Sequence, residues 1–234
     1  MKKIIELLKA YLLDTLRTPI EVVYGLIMVL GVFGLTGFLL GQGTTAEIVA
    51  SYSVFIASYA AISAVAYSIT GEKEKGLYRM YRSSKLTKKE YIMEKVLMAS
   101  LPLAFSALII ALGILTSPIQ LSILILPVLV LSVLAHSGLG LIAAAYFDNH
   151  SEMQKVVTIF LFAMIFLAPV FYTPEMLPET IQLVQKAIPL TYGVEAMRTL
   201  MVEGGGLAEI QRSLAFLTTL AAVSFTLGYR KLDF

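Results

Sequence analysis

The chain holds two histidines, His136 and His150, and no cysteine. His136 stands beside Ser137, a pairing that raises nucleophilic hydrolysis as an option. Neighbours on a helix point about 100° apart, however, and no glycine-flanked nucleophile turn accompanies the pair. The better reading is a polar hydrogen bond inside an apolar bundle. His150, in Asp148-Asn149-His150-Ser151, reads as a surface residue. Without cysteine there is no disulfide or thiol chemistry. No set of His, Asp and Glu has metal-ligand spacing, and no glycine-lysine phosphate loop is present, so this chain is not expected to be an enzyme. Two further charged groups stand out. Glu72-Lys73-Glu74-Lys75 leads through Gly76-Leu77-Tyr78 to Arg79 and Arg82. Glu195 and Arg198, three residues apart, can pair on a helix.

The elements that must position these groups are written for hydrocarbon. No charged side chain occurs in Val22–Leu40, Ile48–Thr70, Val96–Phe147 or Val156–Thr173. The chain is 58% apolar and 15% charged, with mean hydropathy +0.82, against about 25% charged in soluble domains. A helix over Ile48–Thr70 is about 34 Å long, enough to cross a hydrocarbon core of roughly 30 Å. Helices of a soluble bundle would carry polar stripes, and a membrane β-barrel would show short alternating segments. The sequence therefore predicts an all-α polytopic membrane protein: a single transmembrane domain over 1–234 with spans at about 21–41, 47–70, 96–117, 120–147, 156–173 and 207–229. Residues 2–18 read as an amphipathic interfacial helix, with Ile4, Ile5, Leu8, Leu12 and Leu16 on one side.

Lysine and arginine set the orientation. Segment 71–95 holds eight and the first eighteen residues four, whereas 41–47 and 116–120 hold none. Both termini and 71–95 are expected to be cytoplasmic. In the first span, Gly31, Gly34 and Gly37 bare one side, interleaved with Phe33 and Phe38, as a helix-packing face or part of a pathway.

Two interruptions are patterned. Over 71–95 the sequence predicts a glycine break at Gly71 and a short helix carrying Leu77, Met80 and Tyr81. A second helix is capped by Thr87 with Glu90 in a capping box and feeds the third span, near whose start Pro102 lies. In the loop after the fourth span, Asp148 or Ser151 is expected to cap the fifth helix. Over 174–203, Pro174 and Pro178 precede an amphipathic helix at Glu179–Ile188 that Pro189 ends. A second helical stretch runs from Thr191 to Met201, and Gly204-Gly205-Gly206 releases it. This is an external hairpin between spans five and six, either re-entrant or lying on the surface.

Gly71-Glu72-Lys73-Glu74-Lys75-Gly76-Leu77, with Tyr78–Tyr81 and Leu86–Lys95, resembles the first cytoplasmic loop of the permease subunits of ABC-2 family exporters. Phe166-Leu167-Ala168-Pro169-Val170-Phe171-Tyr172-Thr173-Pro174, continuing to Ile188-Pro189-Leu190-Thr191-Tyr192-Gly193-Val194-Glu195 and Arg198, resembles that family's late signature. The resemblance, of the drug- and antibiotic-export type, covers nearly the whole chain. It implies two permeases, in a homodimer or a heterodimer, with two separate ATP-binding-cassette ATPase subunits. ATP and Mg would be bound there and no cofactor by this chain. It implies that Glu72, Glu74, Gly76, Leu77, Tyr78, Arg79 and Arg82 couple to the ATPase, with the push passing through spans two and three. Pro169, Pro174, Pro178, Pro189, Tyr192, Glu195 and Arg198 would form the external hairpin. The location implied is the cell membrane. Where the family often has a proline after the coupling helix, this chain reads Ser83-Ser84-Lys85. Walls of Phe, Tyr, Met, Leu and small residues favour a lipophilic or amphipathic cargo, with membrane lipid as a further partner and no nucleic acid. The rivals are a channel or secondary transporter, which should show ionisable residues at mid-span, and a membrane scaffold that moves nothing.

Overall fold

The computed structural model describes residues 46–83, 86–172 and 177–233, and the helical residues Val23, Leu26, Ile27 and Gly31. The expected interfacial helix at 2–18, most of the first span with Phe33, Gly34, Gly37 and Phe38, Pro174 and the Arg82 side chain lie outside the described residues. No described atom lies within 4 Å of where a Cβ at Gly31 would stand.

Helix α1 spans Ala46–Glu74, α2 Leu77–Ser83, α3 Lys88–Ala99, α4 Leu103–Thr116, α5 Ile125–Tyr146, α6 His150–Leu167, α7 Glu179–Gln185, α8 Pro189–Arg198 and α9 Leu207–Lys231; a π-turn, Thr199–Glu203, follows α8. Among the described residues, α1, the α3–α4 rod, α5, α6 and α9 are long and apolar enough to cross a membrane.

The break expected at Gly71 is not there. Helix α1 continues to Glu74, because a lone glycine costs only about 1 kcal/mol in a helix and tertiary bonds hold the last turn. Lys73 Nζ donates to the Ala144 and Phe147 carbonyls at 2.8 and 3.3 Å and to Asp148 Oδ1 at 2.9 Å. The chain turns instead at Gly76, whose φ of 74° lies in the left-handed region that glycine enters without a Cβ penalty. Thr87 and Glu90 form the capping box of α3. Pro102 does not sit quietly at a span's start but splits the rod over 88–116 into α3 and α4. Its ring excludes a regular turn, and Ser100 and Leu101 donate back three residues, to Leu97 and Met98. Helix α5 begins at Ile125 rather than near 120.

Helix α6 starts six residues before the expected 156. Its cap is neither Asp148 nor Ser151 but Asn149, whose side chain accepts from the Glu152 amide at 3.1 Å. It stops at Leu167 because Ala168, preceding Pro169, is pushed to an extended ψ of 144°. In the hairpin, α7 ends at Gln185, and Pro189 does not terminate it. Pro189 opens α8 at the first helical position, where its missing amide costs nothing.

Helices α1, α5 and α9 form the core, joined through glycines. A Cβ on Gly140 would stand 2.7 Å from the Ile62 carbonyl oxygen of α1. Cβ atoms on Gly138 and Gly228 would meet Ser224 and Leu141, pressing α5 on α9. His136, fully buried, donates from Nδ1 to the Ser132 carbonyl at 2.8 Å rather than pairing with Ser137. The face of α6 carrying Ile159, Phe162 and Phe166 is exposed, as suits contact with lipid.

These contacts separate two glycines that the sequence leaves alike. Gly140→Ala must displace backbone and is expected to cost about 1–3 kcal/mol. Gly71→Ala, whose Cβ would stand an ordinary 3.7 Å from His150 Nδ1, should stabilise by about 0.5–1 kcal/mol. Thermal unfolding of the purified variants checks both signs.

Candidate functional site

At one end of the bundle, α2 rests on a rigid polar base. Tyr91 of α3 donates to Glu72 Oε2 of α1 at 2.6 Å. Lys95, 3% exposed, donates to Glu72 Oε1 and pairs with Glu94, 4% exposed, at 3.0 Å. One ammonium thus holds two carboxylates, and the Tyr91 hydroxyl relieves the excess negative charge as a neutral donor. Buried charges require this degree of pairing. The rings of Tyr78 and Tyr81 lie against Tyr91 with centroids 5.7 and 5.9 Å apart. Burial, and after it the Glu72 charge, pushes the Tyr81 phenol above its usual range.

The opposite face of α2 is open. Leu77, Arg79, Met80 and Ser83 are exposed, Met80 by 67%. The residues named from sequence for this region therefore divide by position. Tyr78 is buried beneath the helix, and Glu72 is the partly buried anchor of the network below it. Leu77 and Arg79 face outward, and Gly76 supplies the turn. Glu74 accepts from the His150 amide at 3.3 Å, at the N-terminus of α6, where negative charge is favoured. The sequence reading passed over Glu94 and Lys95 as functional residues and used Tyr91 only to mark a helix. Their spacing of three and four residues along α3 was the available signal.

At the other end, α8 inserts between α1 and α5. A Cβ on Gly193 would stand 2.9 Å from Val54 and 3.0 Å from Ser132 Oγ. Thr191 donates to the Gln185 carbonyl at 2.8 Å, closing α7 onto α8. Tyr192 stacks on Phe216 of α9, with centroids 3.7 Å apart and rings 10° from parallel, and donates to the Lys186 carbonyl at 3.1 Å. The π-turn ends at Gly204, φ 72°, and the backbone N–H of Gln120 donates to the Met201 carbonyl at 2.8 Å. Pro178 is the N-cap of α7, and Pro169 forms the bend after α6.

The expected Glu195–Arg198 pair is not made. Arg198 donates from Nε to Ser51 Oγ at 2.8 Å and from a terminal nitrogen to the Tyr172 carbonyl at 3.0 Å. Partial desolvation raises the carboxyl of Glu195, an exposed residue of α8, above the ordinary 4.5, against the opposing positive charges of Arg212 and Lys186. The folded protein thus holds this proton more tightly than the unfolded chain. The associated stability is complete below 4.5 and is lost as pH rises through the raised value. Glu195→Gln should flatten that part of the pH–stability curve and cost nothing at neutral pH. Arg198→Leu should cost about 1.5–3 kcal/mol through its lost charged hydrogen bonds. Melting temperatures across pH test the pair.

The described helices define an all-α multi-pass membrane protein, with no metal-ligating cluster among the described residues. The family model for the ABC-2 type transporter matches residues 2–202, and the chain belongs to that family. Membership gives it a general permease role, in a domain that is itself non-catalytic, and implies an ATPase partner subunit. A comparison with curated proteins yielded no match.

Proposed function

We propose that this chain is the permease subunit of an ATP-driven exporter, with its ATPase seated on α2. The observation that carries this reading is the contrast within seven residues. Leu77 and Met80 are left exposed beside Arg79, on a helix whose underside is fixed by Tyr78, Tyr91, Glu72 and Lys95. Exposed Met80 and Arg79 are of the residue types enriched at protein interfaces. Glu72, Glu74, Tyr78 and the rest of the base transmit load rather than touch the partner.

In this reading the α2 end is cytoplasmic, which agrees with its lysines and arginines, and the α7–α8 hairpin is external and re-entrant. Support for re-entry comes from depth: α8 reaches Val54, eight residues into α1, about 12 Å along the helix. Two copies enclose the path, and the cargo is lipophilic or amphipathic. Reconstitution in vesicles with its partner cassette ATPase, which the neighbouring reading frame is expected to encode, tests it. ATP-dependent efflux of a lipophilic dye is expected, and ATP-independent leak would favour the channel reading.

A further inference from the structure

We propose that α9 is a rod that carries movement of the α2 patch to the α7–α8 hairpin. This rests on the reading above and adds a route that the family resemblance, which points to spans two and three, does not supply. At the patch end, the segment following α9 is folded under the docking helix. Tyr78 donates its hydroxyl to the Asp233 carbonyl at 2.7 Å. Lys88, at the start of α3, donates to the Leu232 carbonyl and lies 4.6 Å from the centre of the Tyr229 ring. Leu232 is 1% exposed. A displacement of α2 or of the α3 N-terminus is therefore applied directly to the last turn of α9.

The rod itself is unbroken. It has 25 residues without proline, about 38 Å in length. Its far end meets the hairpin twice. Phe216 lies flat on Tyr192, and the chain passes from the π-turn through Gly204 and Gly206 straight into α9, where Glu209 accepts from the Gly206 amide at 2.9 Å. Helix α1 also reaches both ends, through Glu72 and Ser51, and is likewise packed on α5, at Ile62, but it is largely enclosed where α9 is not. The outer face of α9 is exposed, at Val223 and Leu227, and its inner face is set on α5 by the close contacts of Gly138 with Ser224 and of Gly228 with Leu141.

The test uses the whole permease–ATPase complex in lipid nanodiscs and vesicles. Lys88→Met breaks the near clasp and Phe216→Leu the far one. Each should lower transport per ATP hydrolysed by about fivefold, the low end of typical coupling energies. The double variant should be no worse than about fivefold, because both cut one route. Lys88→Arg should restore coupling. The chain has no native cysteine, so a polarity-sensitive dye on Lys186→Cys reports the hairpin alone. Its ATP-dependent signal should vanish with Lys88→Met while the ATPase still co-purifies. Multiplicative losses in the double variant, or an undiminished hairpin signal with Lys88→Met, would overturn the proposal. If Lys88→Met does not fold, the dye signal with Phe216→Leu decides on the same criterion. Failure of the wild-type complex to form is a separate outcome and overturns the underlying reading as well.

Discussion

Replacing Met80 with aspartate is expected to weaken binding of the ATPase subunit about a hundredfold while leaving the permease folded. Met80 is 67% exposed in the isolated chain, and substitutions at such positions usually change stability by less than about 0.5 kcal/mol. In the proposed complex the same side chain is at the centre of the contact. A carboxylate there must either be desolvated without a partner or hold the surfaces apart. A hundredfold loss corresponds to about 2.8 kcal/mol, within the range of interface hot spots. Binding of purified ATPase to nanodisc-held permease, followed by interferometry, measures it. Leu183→Asp is the control, since Leu183 is 65% exposed on the opposite end and should leave binding unchanged. Equal affinity for wild type and Met80→Asp would remove α2 as the seat.

The second large effect is on stability. Lys95→Met should lower it by about 3–5 kcal/mol, the cost of breaking a buried charge pair from one side. Without the ammonium, Glu72 and Glu94 are left as neighbouring carboxylates, and Glu94 is 4% exposed. Lys95→Met combined with Glu94→Gln should recover a substantial part of the loss, because one of the two stranded charges is gone. Thermal unfolding in detergent, with wild type and both variants side by side, provides the comparison. If the double variant were no more stable than Lys95→Met, charge stranding would not be the cause.

The elements legible in the sequence were those set by local chemistry. Charge-free stretches marked the helices that became α1, α4, α5 and α6, and Thr87 with Glu90 marked the start of α3. Gly204-Gly205-Gly206 marked the end of the hairpin. What was not legible depended on partners distant in sequence. Gly71 looks like a break until Lys73 is seen to fasten the last turn of α1 to the carbonyl end of α5. Arg198 looks like a partner for Glu195 until α8 is placed against Ser51, 147 positions away. Asn149 was passed over as a cap because Asp148 and Ser151, equally good in type, flank it, and only the backbone geometry selects among the three.

The site shows the same division. Leu77–Arg79 could be named from a local motif. The base beneath it combines Glu72 from α1 with Tyr91, Glu94 and Lys95 from α3, and Asp233 arrives from the far end of the chain. No pattern within a single window announces such a convergence. The last apolar helix, α9, the least clean segment in the sequence because Glu209 and Arg212 fall near its start, proves to be an unbroken rod. Glu209 there has a capping role at the Gly206 amide.

The central claim is that α2 is where an ATPase seats. It is tested most directly by placing a photo-crosslinking amino acid at position 80 of the full-length chain in native membranes. The account predicts an adduct with a cassette ATPase from position 80 and none from position 183. Absence of an ATPase adduct from position 80, in membranes where the permease remains folded and transport persists, would contradict it.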